Sequence, residues 1–366
     1  MKKAPWFLLA LFPVAASAAG TARNVILFLG DAGGIPTLHA ASIHGHDQPQ
    51  ALFIHHLPHI GLMDTSAADV WTTDSAAGMT AIMTGRKTND GVVAQSAAAV
   101  KNKVDGEPLQ TLLEHAEQRG LSTGVITNMS IADATPAACY AHANYRKKPG
   151  EIFAQLAQPR FGDGVDIVIG AGRKSVLAAT QALGLDVEAR LRERGYTVLE
   201  DPAAFGRDAT RVVAVTDNAD FDPLPVVART IEILSRNPKG YFLMVEWDMH
   251  TTDVRRGLDR VLKMDDLIRQ TAAQVKDDTL IIFTADHSFD LRVRGGKRGV
   301  PLLPATDPAP DAPAAAKPNV RVDNSHTAEQ VLVAAQGPGA EKVRGFIVNT
   351  DVFHIMMSAY GWETAP

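Results

Sequence analysis

The sequence predicts an α/β fold, a mostly parallel central sheet with helices on both faces, and three observations carry that reading. Short, continuous apolar runs of strand length recur along the chain, as they do where strands are buried on both faces. Segments with helical periodicity lie between them, and strands alternating with helices at this spacing make parallel sheets. Carboxylate and imidazole residues follow several of the runs directly, where such sheets collect their working groups.

The first run, Asn24 to Leu29, ends in Gly30-Asp31-Ala32-Gly33-Gly34, so a central strand passes into a tight turn. Equivalent runs are Ser122 to Thr127, Val165 to Gly170, Arg211 to Val215, Gly240 to Val245 and Thr279 to Thr284. Helical patterns between them include Leu109 to Arg119, Val187 to Arg194 and Val226 to Ser235. Asp31, Glu246, Asp248, Asp286 and His287 all follow such runs or the turn after one. Gly295-Gly296-Lys297-Arg298-Gly299 lacks the spacing of a phosphate loop and reads as a turn. Residues 300–318, with prolines at 301, 304, 308, 310, 313 and 318, read as a surface excursion rather than a domain boundary.

The chain has 366 residues, 46% of them hydrophobic, which suffices for a large core and argues against disorder. A net charge of -5 and a pI near 6.2 provide no overall basic field, which argues against nucleic acid as a partner. Lys2 and Lys3, the apolar run from Ala4 to Ala16, and Ala16-Ser17-Ala18 form a secretory signal with a small-residue cleavage site. That run is too short for a bilayer-spanning helix. The expectation is a signal peptide over residues 1–18, one large domain or two ordinary ones in the remainder, and a periplasmic or secreted mature protein without a membrane anchor. Cys139 is the single cysteine, so no internal disulfide forms, and its setting among alanines reads as a small buried hydrophobe.

Thr72-Thr73-Asp74-Ser75-Ala76-Ala77-Gly78-Met79-Thr80 presents a serine at the start of a buried helix, preceded by good capping residues. A helix start offers unpaired N–H groups and a positive dipole end, a setting for an anion such as phosphate. Asp31, Glu246, Asp248, His250, Asp286, His287 and His326 are candidate metal ligands, because carboxylate and imidazole are the usual zinc donors outside thiolate sites. Together they suffice for two zinc ions about 3.5 to 4 Å apart with a harder oxygen site for magnesium beside them. A cation near Ser75 would lower its hydroxyl pKa without a histidine base.

The chain resembles the alkaline phosphatases over most of its length. The motifs that carry the resemblance are Asn24 to Asp31, Thr73-Asp74-Ser75-Ala76-Ala77 with Thr84-Gly85-Arg86-Lys87-Thr88, and Asp133-Ala134-Thr135-Pro136-Ala137-Ala138 with Tyr140-Ala141-His142. Further on come Phe242 to Glu246, Thr284-Ala285-Asp286-His287, His326-Thr327, and Asn349 to His354. The resemblance implies an alkaline-phosphatase-like fold, a single catalytic domain over residues 19–366, and hydrolysis of phosphate monoesters through a phosphoserine at Ser75. It places Asp31, Asp286 and His287 around one Zn2+, His326 with Asp248 and His250 around a second, and Asp31, Thr135 and Glu246 around Mg2+. Arg146 stands where the family has its phosphate-gripping arginine, whose fork matches two phosphoryl oxygens. Homodimers are common in the family, so a second copy is an implied partner.

Glu246-Trp247-Asp248-Met249-His250 departs from the family pattern, being shorter between glutamate and histidine. Aligned on the strand, Glu246 serves magnesium and Asp248 with His250 serves zinc. Aligned on spacing, Glu246 and His250 become the zinc pair and magnesium is left short of a ligand, with Asp253 a further candidate donor. The strand alignment is preferred because Phe242 to Val245 fixes where the strand ends. A phosphodiesterase on the same fold and a non-catalytic exported metal- or phosphate-binding protein are the alternatives. No segment of the sulfatase type C-x-P-S-R is present.

Overall fold

The computed structural model describes residues 21–303 and 319–362. The expected signal peptide and most of the proline-rich stretch lie outside the described residues. Twelve strands are present among the described residues: β1 (Asn24–Asp31), β2 (His59–Asp64), β3 (Ser122–Ser130), β4 (Ile167–Ala171), β5 (Thr197–Leu199), β6 (Val212–Thr216), β7 (Tyr241–Asp248), β8 (Thr279–Thr284), β9 (Ser288–Val293), β10 (Val320–Thr327), β11 (Val331–Gln336) and β12 (Gly345–Val348). The helices are α1 (Ile35–His46), α2 (Ser75–Thr84), α3 (Leu112–Gln118), α4 (Ala134–Tyr140), α5 (Pro149–Ala154), α6 (Arg173–Ala182), α7 (Val187–Glu193), α8 (Pro223–Leu234), α9 (Val254–Gln274) and α10 (Asn349–Ala359).

Ten strands form one sheet in the order β12-β2-β11-β8-β1-β7-β3-β4-β6-β5. Every pairing is parallel except those of β11, which runs antiparallel to both β2 and β8. β1 lies in the middle and shows why its run is unbroken by polar residues. Val25, Leu27 and Leu29 enter one core with Met79 of α2, Ala134 of α4 and Met356 of α10. Ile26 and Phe28 enter a second core with Leu38 of α1, Val226 of α8 and Leu258 of α9. Alternate residues of one strand thus feed opposite layers. Cys139 is buried in the first core, as its alanine-rich setting predicts.

The runs foreseen from sequence are strands, but β1 and β7 extend to Asp31 and Asp248, beyond the apolar residues. Each carries its neighbour in register, Asp31 opposite Asp248, so the ladder continues through the acids. The β9/β10 ribbon flanks the Gly295–Gly299 turn and the 300–318 excursion, and neither strand is among the runs read from sequence.

Helix α2 is buried along its whole length. Its approach to the sheet depends on Gly78, where a Cβ would sit 2.7 Å from the Asp286 carbonyl oxygen. Gly78→Ala therefore forces α2 away from the end of β8, an overpacking strain of about 1–3 kcal/mol. A lowered urea midpoint is the expected result, and an unchanged one would show that α2 has slack there.

Candidate active site

The pleat decides which side chains meet. Asp31 lies on the same face of β1 as Val25, Leu27 and Leu29, and Glu246 and Asp248 share a face of β7 with Phe242 and Met244. Register sets Asp248 beside Asp31, and Glu246 between Leu29 of β1 and Thr127 of β3. Carboxylates therefore converge at the carboxyl ends of adjacent strands, on the face that α2 and α4 cover. Asp286 and His287 follow β8 in the connection to β9.

Asp74 caps α2 by accepting the N–H of Ala77, which makes Ser75 the first helical residue. Ser75 is 3% exposed, and its Oγ lies 3.3 Å from Nε2 of His287. Arg146 donates from Nη1 to Asp74 Oδ2 at 2.9 Å and from Nη2 to Asp133 Oδ1 at 2.8 Å. Burial alone would raise the Asp74 pKa, but Arg146 and the amides of Ala77 and Gly91 outweigh it and hold the carboxyl below its ordinary value. Asp133 in turn caps α4 through the N–H of Ala134. Two helix caps thus aim one guanidinium, and the short sequence distance from Asp133 to Arg146 is their only linear trace.

Three groups of ligand atoms lie within 4.8 Å of one another: Asp31, Asp286 and His287; His250, His287 and His326; and Asp31, Asp248 and His250. His326 reaches this place on β10, whose antiparallel pairing with β9 sets His326 opposite Phe289 and Thr327 opposite Ser288, next to His287. The rings of His287 and His326 stack with centroids 3.7 Å apart. His326 Nδ1 faces the Thr73 carbonyl at 3.1 Å, which ties the ribbon to the approach to Ser75.

The donor set fits cations. Oδ1 of Asp31 and Oδ2 of Asp286 are buried without a hydrogen-bond partner, which is costly unless something charged completes them. Burial, then the neighbouring Asp286, Glu246 and Asp248, pushes Asp31 well above its ordinary pKa. Burial and Asp133 raise Glu246 to about 8 against its hydrogen bonds from Thr127 and Thr135. Burial lowers His287 to about 4, with His326 and His250 adding to the effect and Asp286 opposing it. Protein alone thus favours protonated Asp31 and Glu246 and a neutral His287, and a dication reverses the preference of those two carboxyls.

Glu246 accepts from Thr127 Oγ1 at 2.5 Å and is also hydrogen-bonded by Thr135. Asp248 lies apart from them: its Oδ1 is 2.9 Å from His250 Nδ1, which is 3.7 Å from Asp31 Oδ2. Asp253 is exposed and caps α9 by accepting the Arg256 N–H, which accounts for its carboxylate. Thr127 and Asn128 were missed by sequence reasoning. Asn128 Oδ1 accepts the Asp248 N–H at 2.8 Å and so fixes the end of β7, a long-range bond with no local signature.

The sequence profile of the alkaline phosphatase family matches residues 22–201 and 222–312. The chain belongs to the alkaline phosphatase family. Among relatives it is 27% identical over 420 residues to an alkaline phosphatase of Escherichia fergusonii, covering 93% of this chain and 86% of that one. It is 29% identical over 420 residues to a streptomycin-6-phosphate phosphatase of Streptomyces griseus, covering 94% and 92%. A match at 28% identity to the tissue-nonspecific alkaline phosphatase of Felis catus covers 73% of this chain but spans only 63% of that enzyme. In fold, alkaline phosphatase from the Antarctic bacterium TAB5 superposes with a TM-score of 0.77 at 24% identity, over 94% of this chain and 100% of the other. The Thermus thermophilus alkaline phosphatase gives 0.78 at 21% identity, over 97% and 96%. The family is one of metal-binding hydrolases, and the buried donors of this chain accord with that.

Proposed function

We propose that this alkaline phosphatase hydrolyses phosphate monoesters through a phosphorylated Ser75, with two zinc ions and one magnesium ion bound. The observation that carries the reading is the Ser75 hydroxyl, buried at a helix start, 3.3 Å from His287 Nε2 and beside the partnerless oxygens of Asp31 and Asp286. Asp31, Asp286 and His287 would hold the inner zinc, His326, His250 and Asp248 the outer zinc, and Asp31, Thr135 and Glu246 the magnesium. These ions supply positive charge where phosphoryl transfer spreads negative charge over the equatorial, attacking and leaving oxygens.

The chain's own residues supply the rest. The first turn of α2 aims Ser75 Oγ at phosphorus and offers free N–H groups to the phosphoryl oxygens. Ser75 Oγ would lose its proton and bond to phosphorus as the ester P–O bond breaks and the alcohol leaves, taking up a proton; water would then add to phosphorus as the Oγ–P bond breaks, releasing inorganic phosphate and restoring the hydroxyl. Arg146, held by Asp74 and Asp133, grips two of the phosphoryl oxygens. Glu246 against Thr127 and Thr135 supports the strand alignment of the shortened segment, in which Asp248 and His250 serve zinc. The amino-terminal pattern supports export to the periplasm or beyond. The streptomycin-6-phosphate relative supports a phosphomonoester substrate without fixing which one.

The test is the ratio of monoester to diester turnover. A terminal phosphate presents more charge to the guanidinium than a diester does, so Arg146→Ala is expected to cost about 100- to 1000-fold in kcat/KM on an aryl monoester and much less on a diester. Equal losses on both would remove Arg146 from phosphate recognition, and diester turnover above monoester turnover in the unaltered enzyme would replace the proposal with a phosphodiesterase.

A further inference from the structure

Only residues 249–252 separate the end of β7 from the cap of α9, so the shortened segment draws that helix up to the metal ligands. Gly257 makes the approach feasible, because a Cβ there would stand 2.5 Å from the His250 carbonyl oxygen. One turn further along the same face lies Arg260, whose side chain is 11% exposed and whose Nη1 donates to Asp248 Oδ2. Its Nη2 donates to Asp220 Oδ1 at 3.0 Å, and Arg256 donates to the other oxygen of Asp220 at 2.7 Å. With Oδ2 taken by Arg260, Asp248 turns Oδ1 toward His250, where it accepts the backbone N–H at 3.0 Å and lies 2.9 Å from Nδ1.

We infer that Arg260 is a positioning residue for the outer metal position: it occupies one oxygen of Asp248 and so presents the other, as a single donor, to the ion shared with His250. The inference rests on the proposed metal-dependent reading. Two effects oppose each other. A guanidinium beside a ligand carboxylate repels a cation, yet a carboxylate free to rotate loses the preorganised direction that outer-shell partners confer, and losing such partners typically costs 10- to 100-fold in metal affinity. The second effect dominates here because Arg260 is anchored on both sides, by Asp248 and by Asp220, and so fixes the carboxylate plane from the oxygen opposite the one that accepts the His250 N–H.

The test is a zinc titration of the metal-stripped full chain against a chromogenic chelator, with circular dichroism to verify folding. Arg260→Ala is expected to weaken the second zinc equivalent 10- to 100-fold and to leave the first within about threefold. Asp220→Asn, which frees the far side of Arg260 without touching Asp248, is expected to shift the same equivalent less, and Arg260→Lys to recover part of the loss. The inference is overturned if Arg260→Ala leaves both equivalents unchanged, tightens the second, or weakens both together with a lower melting temperature. A wild-type chain that binds no zinc would overturn the metal-dependent reading itself, whereas a normal wild type with an indifferent variant overturns only the role of Arg260.

Discussion

Replacing Ser75 by alanine is expected to lower turnover of an aryl phosphate about 1000-fold or more, because the covalent route then has no nucleophile. The loss should fall on kcat, since Arg146 and the α2 amides still bind the phosphate. Acid quenching of the wild-type enzyme with labelled substrate should trap phosphate on the chain, and Ser75→Ala should abolish that label. Full activity in the variant would eliminate Ser75 as the attacking group. The fold should hardly notice the change, because Asp74 and not Ser75 caps α2.

Removing bound metals with a chelator is the second large effect. Turnover should vanish, and the melting temperature should fall by about 10 °C or more, as expected when ions held at many times their dissociation constants are withdrawn. The penalty should depend on pH. In the folded, metal-free chain burial keeps Glu246 protonated up to about 8 and holds Asp31 well above its ordinary value. Unfolded, the same groups ionise near about 4. Between those limits the folded state binds more protons than the unfolded state, so stability falls as pH rises. Metal-stripped protein should therefore melt lower at pH 9 than at pH 6, and metal-loaded protein should show a smaller difference. A stripped protein that gains stability over that range would contradict the burial of these acids as a cluster.

Much of this architecture is legible in the sequence because it rests on local periodicity. β8 begins and ends where its apolar run does, and the serine ahead of a small-residue helix is visible from capping chemistry alone. The elements that were not legible depend on contacts across the fold. His326 is a candidate from sequence, but its stacking on His287 depends on the pairing of β9 with β10, which has no local signature. β2 and β12 carry interrupted or brief apolar patterns, since they lie toward one edge of the sheet. Asp74 reads as an ordinary cap and Asp133 only as part of a family motif, and their shared task of aiming Arg146 exists only once α2 and α4 pack together. Arg260 was invisible for a related reason: its meaning comes from a segment too short to keep α9 away from Asp248. Export, a homodimer and the identity of each metal rest on the amino-terminal pattern and on family likeness, and N-terminal sequencing, sedimentation and elemental analysis address them in turn.

Diffraction recorded on either side of the zinc absorption edge tests the central claim most directly. Two anomalous peaks about 4 Å apart are predicted, one among Asp31, Asp286 and His287, the other among Asp248, His250 and His326, both next to Ser75 Oγ. Zinc bound elsewhere, or none near that hydroxyl in crystals grown with the metal, would contradict the account.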